Sequence, residues 1–133
     1  MITSNGKSIV VVDDEWDIVN QIKRSLEDMD GLKVYTFTDP FAALEHFSSD
    51  CKDHHDLVIS DIRMPGMNGY EFVKQVKKIN PQVKIILMSS FERDDNNLFL
   101  DVPSDVKIDT FLQKPFSLDI LTNIVSIHQD IKN

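Results

Sequence analysis

A chain of 133 residues with 41% hydrophobic content is long enough for one domain with a real core, and too apolar to stay disordered. Its formal charge of −8, from 14 basic and 22 acidic residues, argues against a surface for nucleic acid or an anionic membrane, either of which a basic patch would have to meet. The single Cys51 allows no internal disulfide and suits a reducing compartment, no stretch approaches the roughly 18 apolar residues of a membrane span, and the first residues have no apolar leader core, so a cytoplasmic chain is expected.

The elements alternate along the chain. Residues 8–13 read as a strand, and Trp16 to Met29 as a helix carrying Ile18, Val19, Ile22, Leu26 and Met29 on one side, with Asp30-Gly31 as its stop. Leu32 to Phe37 reads as a second strand. Asp39-Pro40 combines a cap with a first-turn proline, opening a helix whose apolar side is Ala43, Leu44 and Phe47. Leu57 to Ser60 is nearly all apolar, as a central parallel strand covered on both faces should be. Met64-Pro65-Gly66-Met67-Asn68-Gly69 is turn chemistry, followed by a helix from Tyr70 to Ile79 with Phe72, Val73, Val76 and Ile79 inward, ended by Asn80-Pro81. Val83 to Met88 reads as a fourth strand and Lys107 to Leu112 as a fifth, with an irregular region from Phe91 to Asp105 between them. Ser117 caps a last helix running towards Lys132.

Strand and helix repeated in this way predict a three-layer α/β domain with a parallel sheet. Asp13-Asp14, Asp61 and Lys114-Pro115 each close an apolar run, so parallel strands would gather three carboxylates and a lysine at one sheet edge, in the crevice where open α/β sheets hold ligands. Two carboxylates about 4 Å apart repel by roughly 4 kcal/mol at an effective dielectric near 20, a cost that a hard divalent cation with oxygen ligands reverses. Other features have plainer readings. Cys51 is expected to be an idle surface thiol, His54-His55 an exposed loop, and Trp16 a cover for the start of the first helix near the site. The last helix is apolar over a wide arc, with Leu118, Leu121 and Val125 on one line and Ile120, Ile124, Ile127 and Ile131 on another, which suggests a homodimer or partner contact.

Four segments together resemble the receiver domain of two-component response regulators: Val-Val-Asp-Asp-Glu at 11–15, Asp-Ile-Arg-Met-Pro-Gly-Met-Asn-Gly at 61–69, Ile-Leu-Met-Ser-Ser at 86–90 and Phe-Leu-Gln-Lys-Pro-Phe at 111–116. The resemblance covers essentially the whole chain and implies a single receiver domain over residues 1–133, with a core from about 7 to 130. The implied fold is the flavodoxin-like doubly wound five-stranded parallel sheet of order 2-1-3-4-5, helices on both faces. It further implies Asp61 as phosphoacceptor, taking a phosphoryl group from the phosphohistidine of a sensor histidine kinase or phosphotransfer protein. Mg2+, or Mn2+, would be bound by Asp14 and Asp61 directly, by Asp13 mainly through water, and by the main-chain carbonyl of Arg63. Lys114 would pair with the phosphoryl group, Ser89 would donate its hydroxyl to it, and Phe111 would be the switching aromatic.

The chain departs from the family between Ser89 and Lys114, where a Gly-Ala turn is missing and the helix before the fifth strand is expected to be short or displaced. Arg63 and Phe91 flank the pocket mouth, where their bulk is expected to slow hydrolysis of the phosphate. The expected activity is a phosphorylation switch, either stand-alone or one piece of a larger regulator, and not an enzyme acting on other molecules. Two alternatives remain: a receiver-like interaction module that never receives phosphate, and an aspartate-nucleophile phosphohydrolase. The phosphohydrolase would need a second aspartate at position 63, which is Arg63.

Overall fold

In a computed structural model of the chain, the described residues are 7–29, 31–49, 55–90 and 106–129. The order is β1 (Lys7–Val12), α1 (Trp16–Glu27), β2 (Leu32–Phe37), α2 (Pro40–Ser49), β3 (Leu57–Asp61), α3 (Gly69–Ile79), β4 (Lys84–Ser90), β5 (Thr110–Lys114) and α4 (Leu118–Gln129). The strands form one five-stranded sheet in the order β2-β1-β3-β4-β5, and every neighbouring pair is parallel. The parallel sheet is the one the strand and helix alternation predicts, and its order is the doubly wound 2-1-3-4-5 that the resemblance implies.

Alternation within each strand explains the two cores. Val10, Val12, Val58, Ile85 and Leu87 point to one face, where α2 and α3 contribute Ala43, Phe47, Phe72, Val73 and Val76. Ile9, Val11, Leu57, Ile59, Ile86 and Met88 point to the other, where α1 and α4 contribute Ile22, Leu26, Leu121 and Val125. β3 is buried at every residue, so its near-continuous apolar sequence reflects cover on both faces. Asp39 Oδ1 accepts from Phe41 N at 3.0 Å, which makes it the cap of α2 that the Asp-Pro pair suggested.

Several expectations need correction. β5 begins at Thr110, not Lys107, because Asp109 Oδ2 accepts from Ile85 N at 2.8 Å while Asp109 N donates to Ile85 O at 2.9 Å. A side-chain carboxylate thus replaces the main-chain carbonyl of a strand residue and sets the start of the ladder one residue further on. Asp56 does the same at the foot of β3, exchanging bonds of 2.8 Å with the main chain of Ser8. Ile79 is the last residue of α3 and is 44% exposed, not inward; it is the following Asn80 that is buried, its side chain donating to His55 O at 3.0 Å. Trp16 is the first residue of α1 and 66% exposed, so its ring faces solvent and does not cover the start of the helix.

His55 is not on an exposed loop: it is 4% exposed, and its ring packs under α2 against the foot of β1. His54, Cys51, Phe91 and the irregular stretch before β5 lie outside the described residues. On α4, Leu121 and Val125 are fully buried and Ile124 packs partly against the core, whereas Ile120 and Ile127 are 50% and 64% exposed and Leu118 is also exposed. Ile131 falls outside the described residues.

Candidate functional site

Parallel pairing brings the C-terminal ends of β1, β3 and β5 to the same sheet edge. Asp13 follows the last residue of β1 and stays tied to the sheet through its N–H, which donates to Phe37 O at 3.2 Å. Asp61 is the last residue of β3 and is paired in register with Met88; Lys114 is the last residue of β5, in register with Ser90. Asp13 is fully buried, Asp61 nearly so, and Asp14 exposed. One oxygen from each of these carboxylates lies within 4.8 Å of the others, an arrangement that can hold a metal ion.

The Lys114 ammonium sits among them, 2.7 Å from Asp13 Oδ2 and 3.5 Å from both Asp61 Oδ1 and Glu15 Oε1. One cation therefore faces a larger negative charge, and the titration of the cluster reflects this. Burial first, then the charges of Asp13 and Asp14, push the Asp61 carboxyl up to about 7, against the opposing pull of Lys114 and of the Ile62 N–H. Burial also raises Asp13 above the ordinary carboxylate range, although its bond to Lys114 opposes the rise. For Lys114 burial acts downward, but the hydrogen bond and charge of Asp13, with Asp61 and Glu15 behind them, outweigh it and raise the ammonium pKa. The Asp61 carboxyl is held in place by Ile62 N, which donates to its Oδ1 and to Met88 O at 3.0 Å each.

The loop after Asp61 is locked at its far end. Asn68 and Glu71 form a reciprocal capping box at the start of α3, with bonds of 2.9 and 3.0 Å. Gly69 N donates to Ile62 O at 2.7 Å, and a Cβ on Gly69 would come within 2.5 Å of Asp61 O. Only glycine allows the helix to approach the strand end so closely. Arg63, between these anchors, is exposed.

Ser89 is buried near the end of β4, beside the strand that carries Lys114. Phe111 is 41% exposed on β5, on the face opposite the buried Leu112. Sequence reasoning thus brought together Asp13, Asp14, Asp61 and Lys114, and placed Ser89 on the adjoining strand. It missed Glu15, which contributes its side chain to Lys114 and its N–H to Asp13 Oδ1 at 2.9 Å. The acidic run at 13–15 was visible, but a third acid after a strand reads as a solvated turn until Lys114 is known to reach it. Gly69 was also missed; its requirement comes from close approach to a strand, which only the packing reveals.

The chain matches the response regulator receiver domain family over residues 9–126. It is 32% identical over 117 residues to the C4-dicarboxylate transport transcriptional regulatory protein DctD of Pseudomonas aeruginosa, covering 88% of this chain and 24% of that protein. It is 30% identical over 109 residues to the response regulator SaeR of Staphylococcus aureus, covering 82% of this chain and 44% of that protein. The chain thus spans less than half the length of these curated relatives. Among solved structures, a response regulator receiver domain protein from Clostridium thermocellum superposes with a TM-score of 0.76 at 28% identity, covering 95% of this chain and 96% of that one. The chemotaxis response regulator CheY4 of Vibrio cholerae gives 0.77 at 27%, covering 93% and 99%. With the family match spanning nearly the whole sheet and its crevice, the chain belongs to the response regulator receiver domain family.

Proposed function

We propose that this receiver domain is a phosphoacceptor switch in which Asp61 takes a phosphoryl group from a phosphohistidine on a sensor histidine kinase or phosphotransfer protein. The observation that carries the reading is the Lys114 ammonium, 3.5 Å from Asp61 Oδ1 and flanked by more carboxylate charge than it can neutralise. An Asp61 carboxylate oxygen attacks phosphorus, the bond from phosphorus to the donor imidazole breaks, and the departing nitrogen keeps the electron pair. Lys114 pairs with the incoming phosphoryl oxygens. The Ser89 hydroxyl donates to one of them, drawing the end of β4 inward, and Phe111 responds by packing against the space so opened.

The excess negative charge and the carboxylate donors of Asp13, Asp14 and Asp61 fit Mg2+, or Mn2+; Asp14 and Asp61 would hold it, with Asp13 through water and the Arg63 main-chain carbonyl. When bound, the ion supplies neutralisation of charge on the acceptor and the transferred group. A cavity of about 360 Å³ lined by Ile18, Ile22, Phe116 and Leu118 adjoins Lys114 and offers the donor protein an apolar seat. The exposed residues of α4, Ile120 and Ile127, with Ile124 beside them, are the proposed contact for a second copy or a downstream protein. No described helix is long and apolar enough to cross a membrane.

Trp16 is the only tryptophan and lies two residues beyond Asp14, so its emission reports on the site. Beryllofluoride, a phosphoryl mimic, is expected to change that emission saturably in the presence of Mg2+, and Asp61→Asn to abolish the change. A folded wild-type chain that responds to neither Mg2+ nor the mimic would instead be an interaction module that does not accept phosphate.

A further inference from the structure

Far from the acidic crevice, at the N-terminal ends of the strands, two histidines from different elements converge. His46 is half-buried near the end of α2, and His55 is buried two residues before β3. Their Nε2 atoms are 2.9 Å apart. His55 is fixed from several directions: its Nδ1 lies 2.6 Å from Ser8 Oγ, and its carbonyl accepts from Asn80 Nδ2 at 3.0 Å. Its ring meets Phe47 and Tyr35 edge-on, with centroids 4.9 and 5.2 Å away. His46 lies between Tyr35 and Phe37 at 5.0 and 5.2 Å.

At this separation the two Nε2 atoms cannot both carry hydrogen, so one presents a lone pair to the other. With the His55 hydrogen on Nδ1, donated to Ser8 Oγ, the lone pair falls on Nε2. That is the tautomer a metal-ligating imidazole uses, with its second nitrogen held by a hydrogen-bond partner. Once the hydrogen on His46 Nε2 moves to that ring's Nδ1, an ion bonded to both Nε2 atoms at about 2.0–2.1 Å would subtend roughly 90° at the present spacing, and a tetrahedral angle if the pair opened by about 0.5 Å. His46, with a solvent-facing side, can supply that movement by a side-chain rotation, and water can complete the coordination. Imidazole nitrogens favour zinc, copper or nickel over magnesium.

We propose that His46 and His55 form a second cation site, selective for a transition metal of the zinc class, that clasps α2 to the foot of β3. This site is independent of the phosphoacceptor reading. The experiment is a calorimetric Zn2+ titration of the full chain in excess Mg2+, followed in parallel by NMR of the histidine ring nitrogens. Binding is expected to shift the Nε2 resonances of His46 and His55, to raise the melting temperature, and to weaken by at least about tenfold in His46→Ala. His46→Ala leaves the Ser8 and Asn80 contacts of His55 in place, so its fold should survive. Zinc affinity unchanged in that variant, or ring resonances of 46 and 55 that do not respond to zinc, would overturn the proposal, whatever binding occurs elsewhere on the chain.

Discussion

Aspartates stand at both ends of the parallel sheet, but with opposite relations to their surroundings. At the N-terminal ends, Asp56 and Asp109 each accept from a strand N–H at 2.8 Å and so start β3 and β5 in register. At the C-terminal ends, Asp13, Asp14 and Asp61 crowd one another with Lys114 as the cation among them. The first pair is satisfied within the fold and acts structurally. The second group is left with excess charge by the fold, and that excess is what a cation or phosphoryl ligand can relieve. The same residue type is a fastening at one edge and a candidate binding site at the other because of what faces it.

The strongest test of this contrast is pH. An acid whose folded pKa, about 7 for Asp61, lies above its ordinary 3.8 keeps a proton in the folded chain that the unfolded chain has already lost. Its contribution is therefore intact below about pH 4, falls as pH rises towards 7, and is level above, a loss on the order of 4 kcal/mol in chelator. Urea unfolding of wild type and Asp61→Asn should show a gap that widens in favour of the variant between pH 5 and pH 8. A gap independent of pH would mean that neither burial nor the neighbouring acids raise the Asp61 carboxyl.

Magnesium should reverse much of that loss. At a hundredfold excess over its dissociation constant it adds about 2.7 kcal/mol at pH 8, and thermal melts of Asp61→Asn should show a smaller gain. The lower edge should behave differently. Asp56→Ala or Asp109→Ala strands a backbone donor and should cost about 2 kcal/mol with or without magnesium, while leaving magnesium affinity unchanged. If either variant altered metal binding, the two edges would not be independent. The smallest effect is expected at the cap of α3, where Asn68→Ala should cost about 1 kcal/mol in chemical denaturation. Because the cap anchors the loop after Asp61, beryllofluoride affinity should drop with it.

Much of this architecture was readable beforehand for simple reasons. Apolar runs such as Ile9–Val12 and Leu57–Ile59 read as buried strands, and an acid directly after the first, or one serine beyond the second, falls at the sheet edge. What escaped notice depended on polar side chains acting as backbone. Asp109 looks like loop chemistry until its carboxylate is seen to occupy a ladder position, and so β5 was drawn too early. His55 follows a histidine in a polar stretch, and nothing local reveals that His46, Ser8 and Asn80 come from three other segments to enclose it.

The contact between Lys114 and Asp13 joins positions 101 residues apart in sequence. β5 is the outermost strand, held by β4 alone, and a slip of one residue would turn its lysine to the wrong face. The crevice therefore gains its lysine only once β5 has joined the sheet in register. A misregistered β5 would leave most of both cores buried while the acidic crevice lacked its cation, so stability and site assembly are separable in this fold.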